Sequence, residues 1–94
     1  MQLDARLRRR DAVLTQRASE TVVLLDADSG EYYALDDVAG RLWDLCDGTR
    51  SVQDIVQILC QEYDAPSATI EADIVDMLGE LTRERLLIAS DSAA

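Results

Sequence analysis

An α+β fold, a short three-stranded antiparallel sheet followed by three helices, is what this sequence predicts, and three observations predict it. Two runs rich in β-branched and aromatic residues, Thr21–Asp26 and Glu31–Leu35, flank the turn tripeptide Asp28-Ser29-Gly30. Downstream, apolar residues recur at helical spacing in three blocks. Between the blocks stand residues that start and stop helices: Asp36-Asp37, Gly48, Ser51, Pro66 and Ser67. A chain of 94 residues supports one modest core and no second one.

Residues 1–11 show no apolar period and read as a mobile lead segment. Around Val13 and Thr15 a weak alternation suggests the first strand, with Ala18-Ser19-Glu20 as the turn that follows. Thr21–Asp26 is the second strand and Glu31–Leu35 the third. The Asp28-Ser29-Gly30 turn makes these two a hairpin, because Asp and Ser bond nearby backbone and glycine accepts positive φ. Meander order then puts the second strand in the middle and the third at an edge.

Asp36 or Asp37 caps the first helix, with Val38, Ala39, Leu42, Trp43, Leu45 and Cys46 on its apolar side and Gly48 at its C′ position. Ser51 and Asp54 form a capping-box spacing for the second helix, whose stripe is Val52, Ile55, Val56, Leu59 and Tyr63. Ser67 is the expected N-cap of the third helix, whose stripe Ile70, Ile74, Met77, Leu78, Leu81 is the clearest in the chain. Leu86-Leu87-Ile88 adds a short strand or covers the core. The domain is therefore expected over residues 12–90, with residues 91–94 frayed. Trp43 is expected at the centre of the core, since the chain has no Phe.

Composition excludes more chemistry than it suggests. There is no histidine, the commonest general base and metal ligand. All nine basic residues are arginine, so no lysine is present for Schiff-base chemistry. Cys46 and Cys60 are too few for a zinc site without histidine, and both fall on apolar helix faces, where buried thiols are expected. Neither a metal nor any other cofactor is expected, and no enzymatic activity. The Asp28-Ser29 pair is also the dipeptide at which acyl carrier proteins are modified. Gly30 and the strand formers after it make a hairpin turn the better reading.

The net charge is −10 and unevenly spread. Residues 1–20 carry five Arg against three acids, and residues 21–94 four Arg against sixteen acids. An acidic body repels phosphate backbones, so nucleic acid is not an expected partner. The Arg6, Arg8, Arg9, Arg10 run reads as solvated. No apolar run approaches the ~20 residues of a membrane span, and no secretory signal leads the chain, so a cytoplasmic protein is expected.

What remains is the third strand. Its unpaired N–H and C=O groups must be covered or used. One use is the addition of an extended peptide as a further strand, in which backbone bonds supply affinity and side-chain pockets supply specificity. An open edge is also able to pair with its own copy, as a homodimer.

The stretch from Val22 to Ile88 resembles the PqqD family. The matching words are LLDADSGEYYALDDVAGRLWDLCDGTRSVQDIV, the Tyr63-Asp64 helix end, Asp73 in the third helix, and LTRERLLIA. The resemblance implies a winged helix-turn-helix-like fold and the role of a peptide chaperone, or RiPP recognition element. Such proteins hold the leader segment of a ribosomally made precursor peptide and present it to a modifying enzyme, often a radical SAM protein. Carried over residue by residue, the leader would lie on Glu31, Tyr32, Tyr33, Ala34 and Leu35 of the third strand and against Asp73, Ile74, Met77 and Leu78 of the third helix. The chain departs from the family pattern at Asp36, often Asn, and at Arg85, usually Gly. The rival is a winged-helix DNA-binding regulator, but the second helix carries Gln53, Gln57 and Gln61 beside Asp54 and Glu62, with no basic residue toward bases.

Overall fold

A computed structural model describes residues 2–64 and 66–90. The expected tail at 91–94 lies outside the described residues. The elements are β1 (Arg6–Arg9), β2 (Val13–Ala18), β3 (Thr21–Asp26), β4 (Tyr32–Leu35), α1 (Asp37–Leu45), β5 (Asp47–Ser51), α2 (Val52–Glu62), α3 (Ser67–Arg83) and β6 (Leu87–Ala89). They form an α+β structure in which β2, β3 and β4 make an antiparallel meander with β3 central and β4 at the edge. The extents of 37 × 36 × 18 Å match two packed layers rather than three.

The turn between β3 and β4 closes as its residues require. Asp26 accepts from the N–H groups of Asp28 and Ser29, and Gly30 takes φ +77, where a side chain would be strained. Asp36 caps α1, its carboxylate accepting from Ala39 N–H at 2.8 Å. Ser51 and Asp54 form a reciprocal capping box on α2, at 3.0 and 3.1 Å. Trp43 is fully buried at the centre of a core that also holds Leu24, Leu42, Ile55, Leu59, Ile74, Leu78, Leu86 and Leu87.

Four features differ from the sequence reading. First, a second sheet of order β5-β1-β6 is present, and β1 lies within residues 1–11, where no element is expected. Its signal is faint because only Leu7 of its four residues is buried and its partners stand far away in sequence. Second, two of the four arginines in the Arg6–Arg10 run are structural. Arg9 donates to the Trp43 and Asp44 carbonyls at the end of α1, and Arg10 binds Asp26, Asp28 and the Arg85 carbonyl. Third, α3 has Pro66 as its N-cap, without a side-chain cap bond, and Ser67 is already helical; the fixed φ of proline suits a helix entrance. Fourth, α1 ends at Leu45, and Gly48 takes φ +87 inside β5 rather than directly after the helix. Of the two thiols, Cys46 is buried and Cys60 half-buried at the core margin. Burial pushes the Cys46 thiol up to about 12, so it stays protonated.

Candidate functional site

The backbone of β4 decides what its edge offers. Asp26 N–H donates to the Glu31 carbonyl at 2.9 Å, which makes 26 and 31 a hydrogen-bonded pair of the hairpin. Antiparallel pairs alternate, so the register Leu24↔Tyr33 and Val22↔Leu35 is also hydrogen-bonded, while Tyr32 and Ala34 face away from β3. Among the described residues β4 pairs with β3 alone. Tyr32 and Ala34 therefore present the free N–H and C=O groups of the edge.

Beside that edge runs a groove of about 250 Å³. Tyr33, Ala34 and Leu35 form its strand wall, and Met77, Glu80, Leu81 and Glu84 its helix wall. Leu86 and Ala39 complete it. The helix wall follows from period alone, because positions 77, 80, 81 and 84 share one face of α3. The core face of the same helix is Ile70, Ile74, Leu78 and Leu81, and Leu81 belongs to both.

Of the residues expected at the site, the structure brings together Tyr33, Ala34, Leu35 and Met77. Tyr32 is 71% exposed on the opposite face of the meander. Glu31 immediately precedes β4, does not line the groove and accepts from the Tyr33 hydroxyl. Asp73 lies one turn before Met77 on the same helix face and does not line the groove. Ile74 and Leu78 are 1% and 0% exposed and belong to the core. Sequence reasoning missed Ala39, Glu80, Leu81, Glu84 and Leu86; for three of these the signal was available, as the i+3, i+4 and i+7 neighbours of Met77.

The groove is apolar along its length and acidic at one end. There the Tyr33 hydroxyl donates to Glu31 at 2.7 Å, with Glu84 at 3.2 Å as a second acceptor. The bond to Glu31, burial and Glu84 all raise the Tyr33 pKa, so the phenol stays neutral and joins β4 to the end of α3. Among the described residues no group of three or more acids or cysteines is placed to hold a metal ion. The arrangement can do one thing well: accept an extended chain on the Tyr32 and Ala34 backbone and seat its side chains against Met77 and Leu81.

Comparison with known proteins matches most of the chain. The family described as Coenzyme PQQ synthesis protein D (PqqD) matches residues 21–87. The chain is 41% identical over 71 residues to the PqqA binding protein of Xanthomonas euvesicatoria pv. vesicatoria, covering 76% of this chain and 75% of that one. It is 49% identical over 55 residues to the bifunctional coenzyme PQQ synthesis protein C/D of Methylorubrum extorquens. That match takes in 58% of this chain but only 15% of the much longer relative. Among solved structures, TbiB1 in complex with the TbiA(beta) leader peptide superposes with a TM-score of 0.78 at 35% identity, over 85% of this chain and 93% of that one. The PqqD truncation of Methylobacterium extorquens PqqCD, described as a stand-alone RiPP recognition element, gives 0.72 at 38% identity over 87% of each chain. Sequence and architecture agree over most of the chain, which belongs to the PqqD family.

Proposed function

We propose that this protein binds the leader segment of a ribosomally synthesised precursor peptide by strand addition at β4 and presents it to a modifying enzyme. The observation that carries this is the free backbone of Tyr32 and Ala34 running beside an apolar groove on α3. Family membership supports it, as do a relative named for PqqA and a similar structure holding a leader peptide. The role is binding without catalysis, in a cytoplasmic setting, with a radical SAM protein as the enzyme served. We read α2, α3 and the β6 segment behind them as a winged helix-turn-helix-like arrangement. The leader site comprises Tyr32 to Leu35, Met77, Glu80, Leu81 and Glu84.

PqqA is the first probe, added to isotope-labelled protein. Strand addition predicts that the amides of Tyr32 and Ala34 shift most, followed by those of Met77 and Leu81. Ala34→Pro removes an outward N–H and leaves the hydrogen-bonded pairs to β3 intact, so it should weaken binding at least tenfold with little loss of fold. Shifts confined to β5 and β6 would place the ligand elsewhere and defeat the proposal.

A further inference from the structure

A second cavity lies end to end with the groove. It encloses about 480 Å³ and shares Tyr33 and Glu84 with the groove as a common wall. Arg83, the last residue of α3, and Arg85, in the turn after it, build its far side. Its lining carries the carboxylates Asp26, Asp28, Glu31 and Glu84 and the guanidiniums Arg10, Arg83 and Arg85. Arg10 donates to Asp26 at 2.6 Å and to Asp28 at 2.7 Å. Glu31 and Glu84 both lie within hydrogen-bond distance of the Tyr33 hydroxyl. Asp26 and Asp28 are thus paired with Arg10, while Glu31 and Glu84 share the one proton of the Tyr33 hydroxyl. Arg83 and Arg85 are exposed, and neither guanidinium has an ion pair among the described residues.

Arg85 is also in an unusual backbone state. Its N–H donates to the Thr82 carbonyl at 3.0 Å, and that of Leu86 to the Leu81 carbonyl at 2.9 Å. This is the bond pair that closes a helix through a left-handed residue, the place glycine favours. Arg85 takes φ +63 there, so its side chain is held at a conformational cost. Its carbonyl accepts from Arg10 at 2.6 Å, which ties the turn to the cavity.

We propose that Arg83 and Arg85 form an anion pocket for the carboxylate of an Asp or Glu side chain of the peptide strand added to β4. This rests on the strand-addition reading. A strand lying on Tyr32 and Ala34 runs on past the start of β4, where Ser29 and Glu31 line the same cavity. Guanidinium forks match carboxylates in shape and charge. The peptides selected are those that carry an apolar side chain for the Met77 and Leu81 wall and an acidic one a few residues along.

Random extended peptides displayed on phage and panned on the wild type test this. The selected sequences should pair an apolar anchor with Asp or Glu at a fixed offset. A selected peptide should bind the double variant Arg83→Gln, Arg85→Gly about three- to tenfold more weakly at low ionic strength. Replacing its acid by Ala should abolish that difference. Arg85→Gly alone should unfold no earlier than wild type, since glycine suits φ +63. Selected peptides without acid enrichment, or equal binding by the double variant, overturn the anion pocket and leave strand addition standing. Peptides that bind Ala34→Pro as well as wild type overturn strand addition itself, and the pocket with it.

Discussion

Trp43 is wholly buried, and its indole N–H donates to the hydroxyl of exposed Thr15 at 2.9 Å, a part-buried bond from α1 to β2. The ring fills space that no Phe is available to fill, while its one polar atom needs a partner. Thr15→Val keeps the volume and removes the acceptor, leaving the N–H unpaired. We expect a loss of about 1–3 kcal/mol in denaturant unfolding, with Thr15→Ser retaining most of the stability. An unchanged midpoint for the valine variant would mean that water already serves the indole. Position 15 also shows where sequence patterning stops. Trp43 is legible as core from its type and period, but its partner 28 residues earlier is not, because nothing local to β2 marks one threonine for that bond.

At the scale of elements, α1 sits very close to β3. A Cβ on Gly40 would lie 2.7 Å from Val22 Cγ2, nearer than side chains tolerate. Gly40→Ala should therefore destabilise by about 1–3 kcal/mol despite the better helix propensity of alanine. The double variant with Val22→Ala should recover part of this, and thermal melts of the three proteins would decide. If Gly40→Ala stabilises, α1 moves more freely on the sheet than its packing implies. The meander, the caps of α1 and α2 and the third helix were legible because each rests on local chemistry: turn residues, cap residues, one period. The β5-β1-β6 sheet was not, because its strands are three to five residues long and β5 reads Asp-Gly-Thr-Arg-Ser, with no apolar residue to mark a face. The strand half of the site followed from β4 being an edge. The helix half followed only at Met77, since the α3 pattern identifies two neighbouring faces without saying which one looks at β4.

For the whole molecule, the decisive quantity is how sixteen acids beyond residue 20 share few cations. Most are solvated and repel one another at neutral pH, an effect that salt screens. A few are fixed by specific bonds and hold lowered pKa values. Arg10, with the N–H groups of Asp28 and Ser29, lowers Asp26; the Thr49 hydroxyl and N–H lower Asp47; Ser51 lowers Asp54; and Arg41 lowers Glu62. Each of these carboxyls binds protons less readily folded than unfolded. The stability they contribute is present above the unfolded value of about 4 and is lost as pH falls through the lower folded values. Acidification from neutral should thus first relieve repulsion and then remove these bonds, with stability declining steeply below about pH 4. Arg10 is the sharpest probe, because it joins the β3–β4 turn to the turn after α3 through Asp26, Asp28 and the Arg85 carbonyl. Arg10→Gln should lower the midpoint at pH 7 and flatten the acid limb, reducing proton uptake on unfolding by up to about one. Urea titrations of both proteins across the acid range would measure this directly. Parallel acid limbs would show that Asp26 draws its lowered pKa from the turn amides and not from the guanidinium.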